Sequence, residues 1–206
     1  MLAVPAQADA VTQRTTSFVA YFEGFLSCPY ADPAGHATIG YGHLLHYGPP
    51  TKADRRKWGC ITEKEGKKLL RRDLKSYEDE VLSRIEGAKV TPNMITALTS
   101  FAFNLGPAAL DYNWHKGAKR HTDIAFHVVE GHYRRAAKEM LLYDGIIVGG
   151  KRIELEGLQI RRRKEFRLMV KDIDKVRKCK TCSASSGSGS GAGSGSASNS
   201  GGVNPG

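Results

Sequence analysis

Three side chains with potential for acid–base chemistry lie within a short stretch of the sequence. Glu23 follows an apolar-periodic segment that predicts a helix, and Asp32 comes nine residues later in a passage rich in proline and glycine. Thr38 then opens a short β-like run, TIGYGH. Two carboxyl groups on different local structures suit cleavage of a glycosidic bond. One must donate a proton to the leaving oxygen, while the other, ionised, activates water or attacks the sugar.

The surroundings of the two acids favour opposite protonation states. Glu23 lies among Tyr21, Phe22 and Phe25, whose rings are expected to desolvate the carboxyl and favour its protonated form. Asp32 lies in a loop where water is expected to keep it ionised. Glu23 is therefore predicted to be the proton donor, and Asp32 the group that acts on water or on the sugar.

These residues resemble the motif of a known family. The spacing Glu-x8-Asp-x5-Thr within EGFLSCPYADPAGHATIGYGH is similar to the active-site motif of phage-type lysozymes, glycoside hydrolase family 24. The segments TPNMITALTSFAFNLG (91–106) and GGKRIELEGLQIRRRKEF (149–166) resemble second-lobe segments of lambdoid endolysins. Residues 43–73 are closer to the T-even phage lysozymes. The resemblance covers roughly residues 14–172.

The resemblance implies a fold and an activity. The implied fold is α+β and mostly α-helical, with a small antiparallel sheet lobe, a long connecting helix and a helical C-terminal lobe. The implied activity is hydrolysis of the β-1,4 bond between N-acetylmuramic acid and N-acetylglucosamine in bacterial peptidoglycan, by a monomer without metal or organic cofactor. Glu23 would be the general acid, Asp32 would orient or activate the water, and Thr38 would hold that water.

The resemblance also extends to residues outside the motif. It implies a structural pair between His43 and Asp73, and we expect that pair to be charged and best formed near pH 5 to 6. Asn104 and Gly106 are expected to shape a helix end. Tyr143 lies where the family usually offers a tryptophan, so a wall contact made by an indole is not expected here.

Two other functions fit parts of the sequence. A lytic transglycosylase needs one acid and leaves a 1,6-anhydro end, but Asp32 argues against it. The net charge of +10 also suits a catalytically silent module that binds cell wall or nucleic acid. The basic run Arg161, Arg162, Arg163 and Lys164 would contact such an anionic polymer, or would simply be the solvated face of a helix.

The elements that position these residues follow from periodicity and from the glycine and proline punctuation. We predict a helix from Thr12 or Thr15 to Gly24, a twisted antiparallel sheet over 27–47, a polar loop or short helical turn over 48–59, a long helix over 62–86, a helix over 91–104, short helical pieces over 107–142, a turn over 145–150, and a last helix from Leu158 through Val176.

The ends of the chain differ in composition from the middle. We expect a loose leader at 1–12, a catalytic domain at 13–180, and a disordered tail at 183–206, where glycine and serine dominate. The start resembles a signal-peptide cleavage site without its basic and apolar regions. The expected location is therefore the host cytoplasm until release to the wall, or secretion if an upstream signal is missing. With no run of 18 apolar residues, no membrane span is expected.

Four cysteines leave their pairing open. A bridge between Cys28 and Cys60 would tie the motif to the next segment, but reduced thiols are the default without a convincing export signal. Cys179 and Cys182 lack a second ligand pair at zinc spacing and a redox-type context. They are expected to be incidental or weakly reactive.

Overall fold

A computed structural model describes residues 5–176, with side chains from residue 13 onward. The elements in this range are α1 (Pro5–Ala20), β1 (Leu26–Ala31), β2 (Ala37–Gly40), β3 (His43–His46), α2 (Lys52–Trp58), α3 (Glu63–Arg84), α4 (Pro92–Leu105), a short 3-10 helix (Pro107–Leu110), β4 (Asn113–His115), β5 (Arg120–Thr122), α5 (Ile124–Val129), α6 (Tyr133–Met140), β6 (Gly145–Val148), β7 (Lys151–Glu154) and α7 (Glu156–Lys171). The predicted tail at 183–206 lies outside the described residues.

The first lobe is built on a three-stranded antiparallel sheet in the order β1-β2-β3. The register places Tyr30 of β1 opposite Thr38 of β2. The sheet approaches α3 closely, because Gly66 on that helix has no side chain: a Cβ there would lie 2.6 Å from the ring of Phe25. The predicted antiparallel sheet over 27–47 is therefore confirmed.

Helix α3 joins two separate apolar cores. Leu70 and Leu74 belong to the small core beneath the sheet, whereas Val81 and Ile85 belong to the large core around α4. The helix begins at Thr62, which accepts a hydrogen bond from the N–H of Glu65 in a capping box. The long connecting helix and the two-lobed, mostly helical fold are as predicted.

The boundaries of several elements differ from the prediction. Helix α1 already begins at Pro5, inside the predicted leader, and it ends at Ala20 rather than at Gly24. Residues 52–58 form helix α2, where a loop or a single turn was expected. None of the described helices has the length and apolar character needed to cross a bilayer.

Two β-hairpins take the place of predicted helical pieces and a turn. Strands β4 and β5 pair over three residues each, a length too short for alternation to show in the sequence. Strands β6 and β7 pair around Gly149 and Gly150, which both have positive φ. The predicted turn lies at the tip of this second hairpin, and its β-branched flanks form the strands.

Cys28 and Cys60 form a disulfide. The two segments already meet beside it, because the N–H of Ile61 donates to the carbonyl of Ser27 at 2.8 Å. The default expectation of reduced thiols is therefore wrong for this pair. Cys179 and Cys182 lie outside the described residues.

Candidate active site

Glu23 lies in the turn that follows helix α1. Its N–H and that of Phe22 both donate to the carbonyl of Val19, and these bonds close the last turn of the helix. Oε1 of Glu23 accepts a hydrogen bond from Nη1 of Arg161 at 2.7 Å. Oε2 has no hydrogen-bond partner among the described residues. One oxygen is thus fixed, and the other is open to a ligand.

Arg161 comes from helix α7, and its side chain is only 4% exposed. Besides Glu23, it donates to Glu165 at 3.3 Å and to the carbonyl of Ser100 on α4 at 3.0 Å. The guanidinium also lies 5.1 Å from the ring centroid of Phe22. Glu23 is therefore held by a buried cation, and its desolvation by Tyr21, Phe22 and Phe25 stays a prediction.

Asp32 lies in the turn between β1 and β2. Its Oδ1 accepts from the backbone N–H of Ala34 at 2.9 Å and from that of His36 at 2.8 Å. Oδ2 has no hydrogen-bond partner among the described residues. As with Glu23, the fold fixes one carboxyl oxygen and leaves the other open.

Thr38 is joined to Asp32 through the backbone of His36. The Thr38 hydroxyl donates to the carbonyl of His36 at 3.1 Å, and the same carbonyl accepts from the N–H of Asp32 at 2.9 Å. Since the hydroxyl proton is already used, Oγ1 presents acceptor lone pairs to its surroundings. Sequence reasoning missed His36, because its contribution comes from the backbone and not from its ring.

The charges of both acids influence the phenol of Tyr30. Burial raises the pKa of its phenol, and the negative charges of Asp32 and then Glu23 raise it further. Tyr30 lies on β1 directly opposite Thr38. The strand register therefore places Thr38 beside Tyr30, which precedes Asp32 by two residues in the chain.

The basic run on α7 divides into buried and exposed members. The two expectations for this run, contact with an anionic polymer and a solvated helix face, are therefore wrong for its buried members. Arg161 and Arg162 are buried, so neither forms part of a solvated face or a surface for polymers. Arg162 donates to Asn104 at 2.8 Å and lies 3.1 Å from Glu165. Burial lowers the pKa of Arg162 to about 10 and raises that of Glu165. Arg163 is exposed.

The implied pair between His43 and Asp73 is present, with Nδ1 of the ring 2.8 Å from the carboxylate. Arg72 lies on the other side, 3.0 Å from Nε2. Because a carboxylate only accepts, Nδ1 carries the proton in the contact with Asp73. The implied pair is therefore present, and its charge near pH 5 to 6 stays a prediction.

Asn104, Gly106 and Tyr143, the other residues singled out in the sequence, lie among structural elements of the helical lobe. Asn104 and Gly106 lie at the end of α4, and the Asn104 side chain binds Arg162. Tyr143 packs edge-on against Phe101 inside the helical lobe, with its hydroxyl 2.7 Å from Thr122.

Among the described residues, no three His, Cys, Asp or Glu side chains are grouped so that they could hold a metal ion.

The two carboxyls and the hydroxyl are groups of the kind that cleave a glycosidic bond. Two carboxyls each have one oxygen fixed by the protein and one without a partner, and a buried hydroxyl acceptor lies beside the second acid. Such a set can deliver a proton from one side and orient water from the other.

Comparison with known proteins gives consistent matches. The sequence model described as Phage lysozyme matches residues 20–165. An endolysin of Bacillus phage B103 is 31% identical over 162 residues, which are 78% of this chain and 54% of that protein. The chain thus spans about half the length of the curated relatives that it matches first.

Solved structures show the same likeness. An endolysin from Escherichia coli O157:H7 phage FAHEc1 is 27% identical, with a TM-score of 0.59 over 76% of this chain and 90% of that one. The muramidase domain of SpmX from Asticaccaulis excentricus is also 27% identical, with a TM-score of 0.61 over 76% of this chain and 95% of that one.

Proposed function

The chain belongs to the phage lysozyme family, and from that premise we propose that it hydrolyses the β-1,4 bond between N-acetylmuramic acid and N-acetylglucosamine in bacterial peptidoglycan. The observation that carries the proposal is the pairing of Glu23 with the buried Arg161, together with the backbone hydrogen bonds that fix one oxygen of Asp32. The likeness to endolysins and to a muramidase domain supports the choice of substrate.

Glu23 is the general acid in this mechanism. Arg161 binds Oε1, so the proton to be transferred is carried on Oε2, the oxygen without a protein partner. When Oε2 protonates the glycosidic oxygen, the carboxylate that forms lies next to a guanidinium that is already in position. Charge that develops during the reaction is therefore stabilised by a group that does not have to reorganise.

Asp32 and Thr38 act together on the water in this mechanism. The two N–H groups on Oδ1 hold the Asp32 carboxylate in the turn, and Oδ2 accepts one proton of the water. Thr38 accepts the other through Oγ1, because its own proton is donated to His36. Water held by two acceptors directs a lone pair at the sugar carbon, so the expected outcome is inversion of that carbon.

The site of action in this proposal is the bacterial cell wall, reached from the host cytoplasm after release. We infer that the chain works as a monomer and that its net charge of +10 favours approach to anionic wall polymers. Because such contacts are screened by salt, wall lysis is expected to weaken between 0.1 and 1 M salt, as the Debye length falls from about 10 to about 3 Å.

Loss of turbidity of purified peptidoglycan tests the proposal. Glu23→Gln removes the transferable proton while keeping the shape, and it is expected to lower the rate by about 10²–10⁴-fold. Asp32→Ala is expected to be similarly impaired. Glu130→Gln, a change at an exposed glutamate on α5's C-terminal cap, is the matched control and should retain wild-type activity. Activity of Glu23→Gln within a few-fold of wild type would place the acid elsewhere.

A further inference from the structure

A cluster of exposed rings lies outside the candidate active site, on hairpin β4–β5 and helix α5. We call it the aromatic patch and define it by Tyr112, Trp114, His121 and Phe126. Tyr112, Trp114 and Phe126 are 65%, 54% and 52% exposed, and His121 is exposed too. Contiguous apolar groups on a surface mark a site of interaction more often than single exposed ones do.

The register of the hairpin builds the patch. Trp114 and His121 are directly opposite each other in the antiparallel pair, so both side chains lie on the same face. Tyr112, two residues before Trp114, stacks on His121 with ring centroids 4.4 Å apart and planes 11° from parallel. Trp114 meets the edge of the same ring at 5.0 Å.

The opposite face of the hairpin fixes it to the helical lobe. His115 packs edge-on against Tyr143 with centroids 4.4 Å apart, and Oγ1 of Thr122 lies 2.7 Å from the Tyr143 hydroxyl. The hairpin is thus supported from behind, and its aromatic face is held outward. None of these anchoring contacts involves Tyr112, Trp114 or Phe126, whose ring contacts are with His121 and His127.

A cavity of about 280 Å³ adjoins the patch, and polar groups form part of its wall. His127 is buried there, and its Nε2 lies 3.3 Å from Glu139. Because that carboxylate accepts, Nε2 carries a proton in this contact. Nδ1 has no hydrogen-bond partner among the described residues. Asp123, Glu139 and Arg135 also line the cavity, so hydrogen-bonding groups lie beside the rings.

The composition of the site selects a class of ligand. Ring faces beside a few hydrogen-bonding groups suit a molecule with an apolar face and a polar edge. A pyranose has such a C–H face and a rim of hydroxyls, and an N-acetyl group adds an N–H donor. Bases of nucleic acids also stack on aromatic rings, but the cavity wall carries two carboxylates, Asp123 and Glu139, against one cation, Arg135, so it does not favour phosphate.

We propose that the aromatic patch and its cavity bind N-acetylated pyranose rings of a peptidoglycan strand, as a second glycan site distinct from the catalytic residues. The choice of glycan rests on the proposed function. A second contact to the same insoluble polymer makes rebinding intramolecular and raises overall affinity. The site therefore affects binding to whole wall, and not the chemistry on a short soluble fragment.

Sedimentation with purified peptidoglycan sacculi measures the affinity for whole wall. The variants are made in a Glu23→Gln background, so that the polymer stays intact. We expect Trp114→Ala and Phe126→Ala each to weaken binding by about 5- to 20-fold, and Trp114→Phe to restore most of it. Val148→Ala is the matched control, because Val148 is an apolar residue 52% exposed on hairpin β6–β7. It should stay within twofold. With Glu23 intact, Trp114→Ala should leave turnover of a short soluble muropeptide oligomer within twofold.

Indole N–H signals in NMR spectra give a readout that does not depend on activity. The chain has two tryptophans, and the signal of Trp114 is assigned by its loss in Trp114→Phe. Chitotetraose should shift this signal in a saturable way in Glu23→Gln, and Phe126→Ala should weaken the effect. Phe126 lies on α5, so its variant keeps the test valid if changes in the hairpin disturb folding.

Two outcomes would overturn the inference. One is unchanged sedimentation of both alanine variants together with no movement of the Trp114 signal. The other is weaker sedimentation accompanied by a change from oligomer to monomer, which would make the patch a contact between copies of the chain. If wild type fails to lyse peptidoglycan but Trp114→Ala still weakens sedimentation, the catalytic proposal fails and the glycan site stands.

Discussion

Replacing Arg161 with methionine is expected to destabilise the protein and to impair catalysis separately. Its guanidinium is 4% exposed and contacts Glu23, Glu165 and the Ser100 carbonyl. Methionine fills much of the volume without the charge. The substitution leaves the fully buried Glu165 with one cation instead of two, and it leaves Oε1 of Glu23 without its donor.

The magnitude follows from the buried position of the pair. Removing one partner of a buried ion pair costs about 3–5 kcal/mol. Arg162 stays 3.1 Å from Glu165 and still offsets part of the buried negative charge. We therefore expect a loss of stability at the lower end of this range, about 3 kcal/mol. For a domain of this size, each kcal/mol shifts Tm by about 2–4 °C, so Tm should fall by about 6–12 °C.

Thermal unfolding followed by circular dichroism at neutral pH measures the shift. Arg163→Met is the matched control, because Arg163 is the next residue on α7 and is exposed. Its effect should stay within about 0.5 kcal/mol. Lysis measured at 20 °C, where both variants are folded, should be impaired only in Arg161→Met. A Tm of Arg161→Met within 3 °C of wild type would refute the reasoning.

Three other predictions follow from local features. Reducing the disulfide between Cys28 and Cys60, which closes a loop of 32 residues' separation, should lower stability by about 3–4 kcal/mol; an unchanged Tm with reductant, or in Cys28→Ser, would contradict this. The Tyr47 carbonyl and Asp54 raise the pKa of His46, while hydrogen bonds from Thr51 and His46 lower that of Asp54. The contribution of His46 to folding stability is thus complete below its unfolded pKa of about 6.5, and it is lost as pH rises through the higher folded pKa. The contribution of Asp54 to folding stability is complete above its unfolded pKa of about 3.9, and it is lost as pH falls through the lower folded pKa. The Tm difference between wild type and His46→Gln should therefore be largest near pH 5 and smaller at pH 8.5, and a difference independent of pH would exclude the pair. NMR during digestion should show the α-anomer of the new reducing end first, and β product first would favour covalent attack by the second acid.

The sequence was sufficient for the parts of the molecule that depend on local patterns. The capping box at Thr62 and the apolar period after it predicted α3 to within two residues at its C-terminal end. The glycine and proline pattern of 27–47 predicted the sheet. The roles of Glu23, Asp32 and Thr38 stay predictions, because they concern a reaction and not a fold.

Long-range pairing could not be predicted from these patterns. Arg161 lies 138 residues from Glu23, and nothing in the basic run distinguishes its buried members from the exposed Arg163. Glu165, four residues after Arg161, was the available signal for a buried pair on α7. The hairpin β4–β5 was missed because three-residue strands are too short to show a period. The aromatic patch was missed with it, because the hairpin register is what places its rings on one face.

Mass spectrometry of muropeptides tests the central claim most directly. Purified peptidoglycan is digested with equal amounts of wild type and Glu23→Gln, and the ends of the released fragments are identified. The account predicts hydrolytic N-acetylmuramic acid reducing ends with wild type and almost none with Glu23→Gln. Products ending in 1,6-anhydro-N-acetylmuramic acid, or the same hydrolytic products from both proteins, would contradict it.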